Sequence, residues 1–119
     1  MDGFAGALGI RGESAEDGQA RLEFEAEQTH LNPGGTVHGG VLATLVDTAM
    51  GMAARTRTDD GEVPATSQLT IAYLTAGRAG PMAVTAQVRK QGEHVLVCDA
   101  HVDQDGKTVV HAVATFALL

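Results

Sequence analysis

From Gln28 to Ala54 the chain carries one formally charged side chain, Asp47. Apolar residues recur through this stretch at Val41, Leu42, Leu45, Val46, Ala49, Met52 and Ala53, a spacing that predicts a helix from Val41 to about Arg57. Leu42, Leu45, Val46, Ala49 and Ala53 centre one face, and Ala43, Thr44, Asp47, Thr48, Gly51 and Ala54 the other. A surface helix normally shows a charged face. This one does not, so it must be covered nearly all round. One face is expected against its own sheet, and the small-residue face against a second subunit.

The rest of the sequence supplies the cover. Asp2–Leu8 reads as a short helix or coil. "ARLEFEAEQ" alternates, with Leu22, Phe24 and Ala26 on one side and Arg21, Glu23, Glu25 and Glu27 on the other, as in a half-buried strand. Further strands are predicted at Thr66–Leu74, Met82–Lys90, Val95–Val102 and Thr108–Leu118. In the first of these, Leu69, Ile71 and Tyr73 share a face. "AGRAGP", "KQGE" and Asp105-Gly106 read as turns. Strand, long helix, then strands joined by short turns implies an α+β fold with a mostly antiparallel sheet. At 119 residues, without repeats or linkers, a single domain over 1–119 is expected. With three Phe, one Tyr and no Trp, its core must be built from Val, Leu, Ala and Met.

The net charge of −7 argues against nucleic acid. The N-terminus lacks a basic, then apolar, leader, and no apolar run reaches the roughly 20 residues of a membrane span. A soluble, cytoplasmic protein is therefore expected. The one cysteine, Cys98, lies in an alternating segment and reads as a small buried hydrophobe.

Two features invite chemistry. Asn32–Gly40 holds four glycines and His38 in nine residues, directly before the helix. The first N–H groups of a helix lack internal partners and carry partial positive charge. Without Cβ atoms at Gly39 and Gly40, a polarised carbonyl could approach them, as in an oxyanion hole. Phosphate-loop, dinucleotide and lipase-type readings fail. No Gly-Lys-Ser/Thr, no preceding βαβ strand and no Gly-x-Ser-x-Gly elbow is present. Metal is not expected, because His30 and His38 are not at ligand spacing and no further acid or Cys joins them. The second feature is Asp47. Either Thr44, Thr48 or a partner's polar groups satisfy it, or it serves as base or nucleophile in a cleft.

"HLNPGGTVHGGVLATLVDTAMG" resembles the signature of the hotdog-fold acyl-CoA thioesterases of the PaaI (phenylacetate-degradation) type. The likeness continues through "TSQLTIAYLTAG" and "VTAQVRKQGEHVLVCDAHVDQDGKTV". It implies a curled antiparallel sheet of five to six strands around one long helix. It implies a homodimer joined edge to edge, a homotetramer of two dimers, and active sites at the dimer interface. The implied activity is hydrolysis of an aryl- or medium/long-chain acyl-CoA, with no cofactor beyond the coenzyme A of the substrate. The implied roles are Asn32 near the thioester carbonyl, the Gly39 N–H on the oxyanion and His38 beside the sulfur. Asp47 of the other subunit would be base or nucleophile, with Thr66 holding water or acid. Substrate contacts would come from Gly40, Tyr73, Arg89, Lys90, Gly92 and His94. His101 and His111 are expected to be structural or surface residues. The contrasting reading is an acyl-CoA binder or sensor without catalysis. The chain ends in "TFALL", without the basic tail of some relatives.

Overall fold

The computed structural model describes residues 1–119, apart from the side chain of Glu13. A short helix α1 (Gly3–Leu8) leads into strands β1 (Arg11–Glu16) and β2 (Gln19–Ala26). The long helix α2 (Gly39–Arg55) follows, then β3 (Pro64–Tyr73), β4 (Gly80–Gln91), β5 (Val95–Gln104) and β6 (Lys107–Leu118). The six strands form one sheet in the order β1-β2-β4-β5-β6-β3, with every neighbouring pair antiparallel. Four bulges interrupt the pairing, in β1, β3, β4 and where β5 meets β6. Bulges increase local twist, so the sheet curls around α2.

The curl works because its concave side is lined with small residues. Ala20, Ala86, Cys98, Ala100, Ala112 and Ala114 are all buried there. Leu22, Phe24, Val84, Leu96, Val102, Val110 and Phe116 fill the space between them. From the helix, Leu42, Leu45, Val46, Ala49 and Ala53 enter this core as their spacing predicts. Ala54 corrects the expected face division. It is fully buried in the protomer's own core, whereas Ala43, Thr44, Asp47, Thr48 and Gly51 remain partly open. The helix boundaries also shift, to Gly39 and Arg55 from the expected Val41 and Arg57. Gly39 and Gly40 join the first turn because the His38 side chain caps it. No helix is long and apolar enough to cross a membrane among the described residues.

Strand β1 was not anticipated. It pairs with β2 through a two-residue turn at Asp17-Gly18, with φ of 50° and 76°. Asp105-Gly106 makes the same turn between β5 and β6, with φ of 51° and 76°. Both are Asp-Gly hairpins of the type whose twist matches that of the flanking strands. The first also docks on the end of α2. The Gly18 N–H donates to Thr56 Oγ1 at 2.7 Å, and the Arg57 guanidinium to the Asp17 carbonyl at 2.9 Å.

Cys98 is fully buried on β5, facing α2. Burial, and then the neighbouring Asp99 charge, push its thiol up from 9.0 to about 11. The native state therefore holds this proton more tightly than the unfolded chain, a contribution to stability that is fully present below pH 9.0 and is lost as pH rises through about 11. A disulfide reagent such as DTNB at pH 8 should react with Cys98 only at the rate of global unfolding, and immediately in denaturant. Fast stoichiometric labelling of the native protein would contradict this packing.

Candidate active site

The loop ahead of α2 is a tight hairpin. Leu31 and Val37 bridge, the Asn32 N–H donates to the Thr36 carbonyl at 2.7 Å, and Gly35 takes φ of 89° at its tip. The Asn32 side-chain nitrogen donates to Thr36 Oγ1 at 3.3 Å, which leaves the amide oxygen of this half-buried side chain for other donors. His38 then turns the chain into the helix, and its Nδ1 accepts from the Gly40 N–H at 2.8 Å. That bond fixes the tautomer. With Nδ1 accepting, a neutral ring carries its proton on Nε2, pointing away from the helix cap. It also explains Gly40, since a Cβ there would lie 2.9 Å from His38 Nδ1. The Gly40 N–H is thus committed to His38 and is not a free donor for substrate.

Gly39 is different. Among the described residues its N–H has no hydrogen-bond partner. Its carbonyl accepts from the Tyr73 hydroxyl at 2.9 Å, and the Tyr73 ring packs where a Cβ would stand, 3.3–3.5 Å away. Beside it opens a cleft of about 460 Å³ lined by Gly39, Gly40, Leu42, Tyr73, Ala76 and Gly77 among others. One unpaired N–H at a helix start, at the edge of a mainly apolar cleft, can stabilise a developing oxyanion.

Asp47 sits two turns further along α2. Eight residues at 1.5 Å each put it about 12 Å from Gly39 along the axis. Its Oδ1 accepts from Thr66 Oγ1 at 2.7 Å. Thr44 is not its partner, because the Thr44 hydroxyl donates to the Gly40 carbonyl at 2.8 Å. Phe4, Ala43, Thr44, Thr48 and Leu69 surround the acid in a separate shallow hollow.

The Thr66 contact depends on a bulge that the sequence reading missed. Thr66 pairs with Phe116 and Gln68 with Thr115, so Ser67 is an extra residue in β3. Strict alternation from Leu69, Ile71 and Tyr73 would send Thr66 to the outer face. The bulge reverses that, and Thr66 joins the inner face opposite buried Phe116. Ser67 anchors the distortion by donating to the Thr115 carbonyl at 3.1 Å. A Thr-Ser-Gln run gives no sequence signal for this. Only the mismatch between Thr66 and the apolar alternation points to it.

Arg89, Lys90, Gly92 and His94 cluster at the β4–β5 hairpin, far from the loop within one protomer. Gln91 of that hairpin donates to the Arg57 carbonyl, past the opposite end of α2. A 17-residue helix separates the two ends by about 25 Å. Arg89 is paired with Asp99 at 2.8 Å, while Lys90 and His94 are exposed. His101 lies on the outer sheet face, 3.2 Å from Asp103, and opposite His111 on β6.

The same architecture recurs in known proteins. Residues 34–111 match the thioesterase superfamily. The Escherichia coli acyl-coenzyme A thioesterase PaaI is 38% identical over 91% of this chain and 76% of its own length. The E. coli PaaI structure superposes with a TM-score of 0.91 over 99% of this chain and 85% of that one, at 34% identity. A Streptococcus pneumoniae thioesterase protein solved with coenzyme A matches at a TM-score of 0.84 and 28% identity, covering 92% of this chain and 87% of that one. The human acyl-coenzyme A thioesterase 13 is 37% identical over 67% of this chain. The chain spans 57% of the human protein and 61–80% of three archaeal esterases that it also matches. The chain belongs to the thioesterase superfamily, as a hotdog-fold member of the PaaI type.

Proposed function

We propose that the protein hydrolyses an acyl-CoA thioester to the free acid and coenzyme A, at a site shared by two subunits. The observation that carries this reading is the Asp47 carboxylate held by Thr66 on an otherwise uncharged helix. A lone acid oriented by one donor retains a free oxygen, Oδ2, to take a proton from water or to attack the acyl carbon. The Gly39 N–H would receive the carbonyl oxygen as it gains negative charge. The His38 Nε2–H would face the departing thiolate as the C–S bond breaks, and the thiolate would take up the proton released by water. Water would add to the acyl carbon directly on the base route, or open the Asp47 acyl anhydride on the nucleophile route. Asn32 would offer its amide oxygen or nitrogen near the carbonyl.

The dimer supplies the missing proximity. β3 is a terminal strand of the sheet, ten residues long, with Tyr73 and Leu74 exposed at one end. Long free edges invite pairing. Tyr73, at one end of β3, touches Gly39, and Thr66, near the other, touches Asp47. Antiparallel pairing of β3 with its copy about a two-fold axis sets one end beside the other. Gly39 of one subunit then faces Asp47 of its mate, which a single helix cannot arrange across about 12 Å. The same pairing would cover the small face of α2. Coenzyme A would run from the Gly39 cleft along Tyr73, with Arg89, Lys90, Gly92 and His94 of another subunit meeting its phosphates or adenine. Ala43 and Gly51 leave room for an aryl or longer acyl chain, and a panel of aryl-acetyl, benzoyl and fatty acyl-CoAs would identify it. A homotetramer and a cytoplasmic location fit this reading.

Asp47→Asn should lower kcat by about 10²–10⁴-fold with an unchanged melting temperature; near-normal turnover would refute the role. Thr66→Ala, which removes one donor to a charged acceptor, should lower kcat by about 10- to 100-fold, and Thr66→Ser should restore most of it. Equal activity in Thr66→Ala and wild type would show that the hydroxyl does not orient the acid. Gly39→Pro deletes the proposed oxyanion donor. The first helical position tolerates proline, and His38 already has the extended ψ of 133° that proline requires before it. Its kcat should fall by about 10²–10³-fold, whereas Gly39→Ala, which sets the same Cβ against Tyr73 but keeps the N–H, should retain most activity; full activity of Gly39→Pro would exclude this N–H from catalysis.

A further inference from the structure

We infer that His30 is a positioning residue for this reaction, a neutral clamp that joins α1 to the loop carrying Asn32, His38 and Gly39. The inference rests on the hydrolase reading for its kinetic consequence, but its geometry stands apart from it. His30 is buried and closes the 3-10 turn Gln28–His30. Its Nδ1 accepts from the Glu27 N–H at 2.9 Å, and its Nε2 donates to the Leu8 carbonyl at 2.9 Å. One nitrogen must accept and the other must donate, which only the neutral Nε2–H ring can do. The ring packs on Phe24 with centroids 4.7 Å apart. Arg11 from β1, Glu25 and Glu27 from the β2 side, and Met1 ahead of α1 line the same hollow.

Each end of the clamp leads to a half-site. The His30 carbonyl accepts at 2.9 Å from the N–H of His38, the residue that caps α2 and directly precedes the unpaired Gly39 N–H. The Leu8 carbonyl ends α1, whose Phe4 and Ala5 wall the hollow around Asp47. Gly9, with φ of 97°, terminates α1 so that the Ile10 N–H donates to the Ala5 carbonyl, and the Leu8 carbonyl is left to His30. Loosening His30 would therefore blur the oxyanion donor and the wall beside the acid together. Small displacements of this kind reduce turnover more than binding.

The test uses purified wild type, His30→Ala, His30→Gln and His30→Asn, assayed well below each melting midpoint. His30→Ala should lose about tenfold or more in kcat while KM stays within about threefold. His30→Gln, which carries an amide nitrogen to the Leu8 carbonyl, should recover most of the loss. Where His30→Ala does not fold, His30→Asn replaces it, since it can accept from Glu27 N–H but cannot reach Leu8. Wild-type kcat in the Ala or Asn variant, or equal impairment of Ala and Gln, would overturn the role. Amide hydrogen exchange without substrate provides the independent readout. The His38 N–H should exchange about tenfold faster in the variant, while Cys98 and Ala112 in the sheet keep their protection. Unchanged His38 exchange would overturn the clamp. A wild type that hydrolyses no acyl-CoA would instead defeat the hydrolase reading and leave the exchange result to decide His30.

Discussion

A helix with a single carboxylate has to be surrounded, and this chain is arranged around that requirement. Its own sheet can cover one side of α2 because alanines and one cysteine are interspersed among the larger residues of the concave face, which lets the layers come close. Bulges bend the sheet far enough to wrap the helix. What the sheet covers only in part, through edge contacts such as Thr66 and Leu69 of β3, is the stripe of Ala43, Thr44, Asp47, Thr48 and Gly51, and that stripe holds the acid. Incomplete cover and a costly charge therefore fall in one place. In a protein this small, a second copy is the economical way to finish the cover.

The site geometry follows from the ends of that helix and of β3. The cap at the helix start uses a histidine side chain, which occupies the Gly40 N–H and leaves the Gly39 N–H unpaired. One bond therefore selects the donor, fixes the His38 tautomer and explains why residue 40 is glycine. At the other half-site, one extra residue in β3 turns Thr66 inward to orient Asp47. Neither device is large. The first rests on a distinctive side chain, His38, and the second on one inserted backbone position.

That difference decides what could be read in the sequence. The helix, the four strands after it and β2 were legible because apolar periodicity is a direct image of one-sided burial. Asp47, Gly39 and His38 stood out as candidates because an acid without charged neighbours and a glycine-rich helix start are chemically unusual. β1 escaped because "RGESAE" has no apolar alternation; its strand is set by the Asp17-Gly18 turn and by pairing to β2. The commitment of the Gly40 N–H to a local histidine cap could not be read, nor could the inward turn of Thr66 and the burial of Ala54, which tertiary contacts fix. His30 escaped for the same reason. Its two partners lie 3 and 22 residues away, and neither is a side chain.

The central claim is that each active site joins Gly39 of one subunit to Asp47 of the other. Mixing tests it directly. Asp47→Asn and Gly39→Pro subunits, each nearly inactive alone, are unfolded together and refolded as a random mixture. Half of the resulting dimers are mixed, and each mixed dimer has one site with both native residues. The mixture should then recover about one quarter of wild-type turnover per subunit. A mixture no more active than its two components would place both groups in the same chain and contradict the shared site.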